Sequence, residues 1–294
     1  MLLQTLHHST PALSTRQLLL AAELITQSDG LIIASGTGMG FDSGLPDLGS
    51  DTGLWRAYPA LAARGLRFSD LCSPRAFRDF PELAWGFYGQ QLLQFRRTRP
   101  HAGHAILLRW MQQTRRGGFV YTSSIDGQFQ SAGLPIGRIH ECHGSVHALQ
   151  CLDGCSDAIW SADALKPQVD PRHTLWLGPL PRCPHCGALA RPNVLMYSDG
   201  AWLDAAYDQQ FNRMAHWLGS VQHPVVIEIG AGTSATTVRH LSERLVDQFN
   251  AHLVRINPRD CEVSRDDDVG LQATALDALQ GLDQLIGGGA AGYH

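Results

Sequence analysis

The feature that most limits how this chain can fold is a short apolar run, Leu31-Ile32-Ile33-Ala34. It empties into Gly36, Gly38 and Gly40 and then into Ser43-Gly44-Leu45-Pro46-Asp47. Apolar residues in unbroken succession read as a strand buried on both faces. Glycines just after such a strand let backbone come close to a phosphate, and free amides with a following helix N-terminus supply a positive cradle. A tight strand-to-helix turn asks for the same glycines, so this loop alone leaves both readings open.

The arrangement recurs along the chain. Residues 15 to 29 carry Leu18, Leu19, Ala22, Leu24 and Ile25 at helical spacing and lead into the first strand. Gly49 to Tyr58 reads as irregular, and the aromatic-rich segment 60 to 99 as a helical cover over a cleft. Pro100 opens a helix that Gly117-Gly118 stops. Phe119-Val120-Tyr121-Thr122 then runs into Ser123-Ser124-Ile125-Asp126-Gly127, and the stretch from Arg138 ends in Glu141-Cys142-His143-Gly144. Two later runs end in Gly230-Ala231-Gly232-Thr233-Ser234 and in Asn257-Pro258. Strand, glycine or polar turn, then helix, four times over, predicts an α/β fold with a Rossmann-like parallel sheet and helices on both faces. In such sheets the strand ends carry the ligand contacts. The glycine-rich tail from Gly287 to Gly292 reads as frayed.

Between these strand ends lie Cys151-Leu152-Asp153-Gly154-Cys155 and Cys183-Pro184-His185-Cys186-Gly187, two knuckles with 27 residues between them. Two close cysteine pairs supply four thiolates at tetrahedral geometry, which fills a zinc shell and makes the metal structural. Cys72, Cys142 and Cys261 have no such partners and read as simple small hydrophobes. Domain limits follow: residues 1–145 and 201–294 for the sheet domain, with a helical insertion at about 50–99, and 146–200 for a small four-cysteine zinc module. A net charge of −4 and the lack of any Lys/Arg run point away from nucleic acid. Leu18 to Ala22 is too short for a signal core or a membrane span, so a reducing cytoplasm is the expected compartment.

Taken in order, these pieces resemble the sirtuin family of NAD-dependent protein deacylases. Gly36-Thr37-Gly38 through Ser43-Gly44-Leu45-Pro46-Asp47 is similar to the family's first glycine segment, and Ser123-Ser124-Ile125-Asp126-Gly127 stands where the family has Q-N-I-D-G. His143-Gly144 matches its H-G, and Cys151, Cys155, Cys183 and Cys186 match its zinc module. Arg191 to Tyr197 is similar to its R-P-x-V-V-x-F strand, Gly232-Thr233-Ser234 to its G-T-S turn and Ile256-Asn257 to its I-N pair.

The resemblance implies NAD across the sheet's carboxyl edge, with Gly36, Thr37, Gly38, Gly40, Asp47, Ser123, Asp126, Gly230, Gly232, Thr233, Ser234 and Asn257 as its contacts. It implies His143 as catalytic base, with Asp126 and Ser124 beside it, and an acyl-lysine channel at Val194, Leu195, Met196 and Tyr197. NAD would be cleaved to nicotinamide and the acyl group moved from a protein lysine to ADP-ribose. Leu48, Gly49 and Ser124 depart from the family's phenylalanine, arginine and asparagine at the nicotinamide end. Those departures keep two alternatives in view: ADP-ribosyl transfer to another acceptor or to water, and a nucleotide-binding protein with impaired turnover.

Overall fold

The computed structural model describes residues 14–48, 51–233 and 235–289. In chain order the helices and strands are α1 (Thr15–Gln27), β1 (Gly30–Ser35), α2 (Asp51–Ala57), α3 (Pro59–Ala63), α4 (Phe68–Leu71), α5 (Pro74–Asp79), α6 (Pro81–Arg97) and α7 (Ala102–Gln113). Next come β2 (Gly118–Thr122), α8 (Gln128–Ser131), β3 (Ile139–Glu141), β4 (Gly144–Cys151), β5 (Ile159–Ser161), β6 (Val169–Asp170), β7 (Leu175–Trp176) and β8 (Ala190–Val194). The chain closes with α9 (Ala205–Leu218), β9 (Pro224–Ile229), α10 (Thr237–Phe249), β10 (His252–Ile256), β11 (Val269–Leu271) and α11 (Ala275–Gly289).

Among the described residues, six strands form the main sheet in the order β11-β10-β9-β1-β2-β3, every neighbouring pair parallel. In order of appearance that is 3-2-1-4-5-6, the doubly wound order whose switch point lies between the first and fourth strands, here β1 and β9. All six residues of β1 are buried. Its side chains alternate, as a pleated strand requires: Leu31 and Ile33 pack with α1, α7 and α11, while Ile32 and Ala34 pack with α9 and α10. Helices therefore cover both faces, as expected.

A second core lies apart from the sheet. It joins Leu54, Leu61, Phe77, Trp85, Phe87 and Tyr88 of the helical insertion to Val146, Leu149, Leu152 and Trp176 of the cysteine-bearing strands. Trp85 and Trp176 meet with ring centroids 5.6 Å apart, and the Trp85 indole donates to the Ala190 carbonyl. Here β4 pairs antiparallel with β5 and β8, while β6 and β7 form a small hairpin.

Several sequence expectations need correction. Within the stretch read as irregular, residues 51–57 form α2, because Leu54 is fully buried in the second core and tertiary packing outweighs the glycine at 53. The glycine loop is followed by a seven-residue 3-10 helix, Thr37–Ser43, in place of an α-helix N-terminus. Leu19 stands 53% exposed, off the stripe that buries Ala21, Ala22 and Ile25. Helix α11 continues through Gly289, so the first part of the supposedly frayed tail is helical, and the remainder lies outside the described residues. The edge strand β11 passed unnoticed, being three residues long with a glycine at its centre.

Candidate active site

The carboxyl ends of β1, β2, β3 and β9 converge, and the residues singled out in the sequence gather there. At the switch point two glycine loops press together. The Gly36 amide donates to the Ile229 carbonyl at 2.9 Å and the Gly38 amide to the Gly230 carbonyl at 3.1 Å. A Cβ on Gly36 or Gly38 would come within 2.3 to 2.8 Å of Gly230 or Ala231 backbone atoms, and Gly230 itself has φ of +59°. Glycine is required at this contact by the backbone, which leaves the phosphate-cradle reading without two of its supposed free amides. Thr37 is exposed at the loop tip and Gly40 is buried below it. Asn257 fastens the second loop: its amide donates to the Ala231 carbonyl, and its Oδ1 accepts from the Arg259 and Asp260 amides. Gly232 and Thr233 are exposed beside it, while Gly49 and Ser234 lie outside the described residues.

One strand over, the Ser123 amide donates to the Ser35 carbonyl, tying the end of β2 to that of β1. Ser124 is buried; its amide donates to the Thr122 hydroxyl and its own hydroxyl reaches the Gly36 carbonyl at 3.5 Å. The same hydroxyl hydrogen-bonds Asp126, so Ser124 links the glycine loop to that carboxylate. Asp126 accepts from the Gln128 amide at 2.9 Å and lies under Gly40, whose missing Cβ would stand 3.5 Å from Oδ2. Burial pushes the Asp126 carboxyl up to about 6, against the pull of those two hydrogen bonds.

His143 follows β3. Its Nε2 lies 3.3 Å from the Thr237 hydroxyl at the start of α10, and it also hydrogen-bonds the Ser123 backbone. Burial holds the imidazole below its ordinary value, which keeps it neutral and able to accept a proton at pH 7. Leu195 donates its amide to the His143 carbonyl at 3.0 Å, bringing the end of β8 alongside. Beyond β8 the side chains alternate: Val194 and Met196 are buried in the second core, while Leu195 and Tyr197 are exposed, Tyr197 edge-on to Phe68. Leu48 packs against the same core, and Asp47 stands half-buried one residue earlier in the chain.

Glu141, Thr237 and His147 also sit here, and the sequence reasoning passed over them. His147 meets the Asp126 carbonyl at 3.0 Å. Glu141 could have been found from its place two residues before His143 at the same strand end. Thr237 could not, because it arrives from the far side of the switch point.

The four knuckle cysteines come together away from this edge. The Cys151 and Cys186 sulfurs are 3.7 Å apart, those of Cys155 and Cys183 are 3.6 Å apart, and all four lie within 4.8 Å of one another. Tetrahedral zinc with bonds of about 2.3 Å calls for sulfur separations of about 3.8 Å. The cluster fits a structural zinc ion.

The Sir2 family model matches residues 36–237. An NAD-dependent protein deacylase of Aquifex aeolicus is 24% identical over 254 residues, covering 85% of this chain and 92% of its own. NAD-dependent protein deacylase 1 of Pseudomonas aeruginosa is 32% identical over 193 residues, 64% of this chain and 70% of its own. Among solved structures, a mutant Sir2 homologue in complex with ADP-ribose superposes with a TM-score of 0.70 at 19% identity, over 93% of this chain and 98% of that one. A Sir2 homologue in complex with NAD gives 0.67 at 21% identity, over 92% and 93%. With the family model covering most of its length, from the first glycine loop to the start of α10, the chain belongs to the Sir2, or sirtuin, family.

Proposed function

We propose that this protein is an NAD-dependent protein-lysine deacylase. The observation that carries the reading is that Ser124 links the Gly36 loop to Asp126, while His143 hydrogen-bonds the neighbouring Ser123 backbone and the segment after β8. NAD and water are consumed together with an acyl-lysine, and nicotinamide, lysine and O-acyl-ADP-ribose are released. The carboxylate of Asp126 meets the cationic nicotinamide end, and neutral His143 takes the proton from a ribose hydroxyl as it attacks the transferred acyl group. Thr237 orients the imidazole through Nε2. Gly36, Thr37, Gly38 and Gly40 border the pyrophosphate side, with Asp47 and Ser123 nearby, and Gly230, Gly232, Thr233 and Asn257 border the adenosine. Val194, Leu195, Met196 and Tyr197 line the path of the acyl-lysine. The four cysteines hold zinc for structure, and no step passes through it. Among the described residues no helix is long and apolar enough to cross a membrane, and the cytoplasm is the compartment we assign.

The test is to incubate pure protein with NAD and an acetyl-lysine peptide, following nicotinamide, peptide mass and protein mass. Loss of one acyl group per nicotinamide is the expected result, with a His143→Ala variant slower by about 10²–10⁴-fold. Nicotinamide release with an intact peptide, or a protein mass gain of one ADP-ribose, overturns the reading.

A further inference from the structure

The first glycine loop is held by a residue to which the proposed reaction assigns no role. His101 is the N-cap of α7, and its Nδ1 accepts from the Gly103 amide at 3.1 Å. Its backbone amide donates to the Ser43 hydroxyl at 3.0 Å. Its Nε2 lies 2.9 Å from the Met39 carbonyl, inside the 3-10 helix that follows Gly36. A carbonyl only accepts and an amide N–H only donates, so one tautomer satisfies both ring contacts: the proton sits on Nε2 and Nδ1 is bare. Burial holds the imidazole below its ordinary value, and the ring is neutral at pH 7. His104, three residues on, packs edge-on to it with ring centroids 4.6 Å apart.

The turn held in this way brings Met39 and Gly40 to the cleft. A Cβ on Gly40 would stand 2.8 Å from a Leu45 methyl and 3.5 Å from Asp126 Oδ2, so the space above the Asp126 carboxylate depends on where the 3-10 helix lies. Several ties fix that helix. The Met39 side chain is buried in the sheet core, and the Asp42 carboxylate accepts from the Leu276 amide at the start of α11 at 2.7 Å. His101 adds a grip on the backbone itself, at the Met39 carbonyl and the Ser43 hydroxyl.

We propose that His101 is a positioning residue for the nucleotide: by gripping the Met39 carbonyl it fixes the turn from Thr37 to Gly40 against Asp126 in the shape that accepts NAD. The proposal rests on the deacylase reading for the identity of the ligand but not for the geometry of the grip. A turn that must be ordered on binding takes the cost of ordering out of the affinity, whereas a turn already ordered does not. The groups assigned to the chemical step stand on other strands, so the loss of this grip belongs to NAD binding and not to turnover.

His101→Asn separates the grip from the helix cap. Asparagine is a preferred N-cap whose side chain keeps an acceptor for the Gly103 amide, yet it is too short to reach Met39. Calorimetric titration with NAD and with ADP-ribose reads the affinity without any turnover, hydrogen exchange reads residues 37–43, and urea unfolding reads the cap. The expected result is a Kd for both ligands raised about twofold to tenfold, the worth of one neutral hydrogen bond. Exchange over residues 37–43 should quicken, while kcat stays within about twofold and the unfolding midpoint holds. His101→Gln, long enough to donate to Met39, should recover most of the lost affinity. An unchanged Kd in His101→Asn overturns the proposal, as does a glutamine variant that binds no better than the asparagine one. A lower unfolding midpoint with kcat and peptide KM altered alongside the Kd would show a merely structural role and overturns it too. The same ratio of affinities in a protein that never deacylates would sink the deacylase reading and leave the grip standing. Normal deacylation with equal affinities would do the reverse.

Discussion

At the scale of single residues, the least expected side chain is His140. It is fully buried in the middle of β3, neither ring nitrogen has a partner, and the ring packs edge-on to Tyr121 and Tyr207 at 4.8 and 4.5 Å. Burial, helped by the Arg213 charge, depresses its titration from 6.5 to about 4. The unfolded chain takes up this proton near 6.5 and the native state only near 4, so stability is lost as pH falls through that window. His140→Phe should keep the aromatic packing and remove this loss. Denaturant unfolding at pH 7.5 and pH 5 checks it: the variant should gain on the wild type at pH 5, by at most about 1.4 kcal/mol per pH unit below 6.5. Equal stability differences at both pH values would show that the ring carries no such cost. The residue types at the strand ends told where chemistry would gather, because serine, aspartate and histidine do not end buried strands without a partner. Composition and spacing said nothing about Thr237, whose side chain reaches the site from an element that only the fold brings near.

At the scale of elements, the segment after β8 is held by a device of its own. Arg191 and Asp199, both fully buried, form a two-pronged ion pair at 2.6 and 2.8 Å, and Asp199 also accepts the Met196 amide. This closes the bend at Ser198, whose φ is +53°, and fixes the run from Leu195 to Tyr197 beside His143. Removing one partner strands a buried charge. Arg191→Met should therefore cost about 3–5 kcal/mol and raise KM for the acyl peptide more than it lowers kcat. Urea unfolding and a KM-against-kcat comparison check both parts, and an unchanged peptide KM would remove the segment from the channel. Long periodic elements such as α1, α6, α7 and the strands β1, β2 and β9 were legible in the sequence, since each buries a continuous stripe or run. The short pieces were not. Helix α2 owes its existence to Leu54 in a core assembled from distant residues, and the 3-10 turn after Gly36 is shaped by contact with Gly230.

At the scale of the whole molecule, the two lobes have different supports. The sheet domain rests on apolar packing against both faces of β1, while the second lobe combines the helical insertion and the cysteine strands in one core. Val146 within the knuckle strand β4 and Leu152 just after it belong to that core, so loss of zinc should loosen helices α2 to α6 as well as residues 146–200. Hydrogen exchange with and without a strong chelator, or in a Cys183→Ser, Cys186→Ser variant, should show faster exchange in both segments and retained protection in β1, β2 and β9. Protection unchanged in the helices would mean that their core stands without the metal. The order of motifs made the sheet and the zinc module readable from sequence. The sharing of a core between insertion and module was not readable, because it depends on contacts such as Trp85 with Trp176, some ninety residues apart in the chain.

The position of β1 has a consequence for how the protein is made. It is the central strand, yet its partner β9 and the amides that its neighbour Asp29 accepts, at Gln222 and His223, lie as much as 194 residues downstream. A nascent chain leaving the ribosome must carry the bare edge of Leu31 to Ala34 until Pro224 to Ile229 has emerged. Pairing over such a separation is slow, and a waiting apolar strand invites wrong partners. The middle of the sheet therefore stays open until β9 has been made, with only the β10–β11 edge still to be added, and chaperone demand should fall on the first strand.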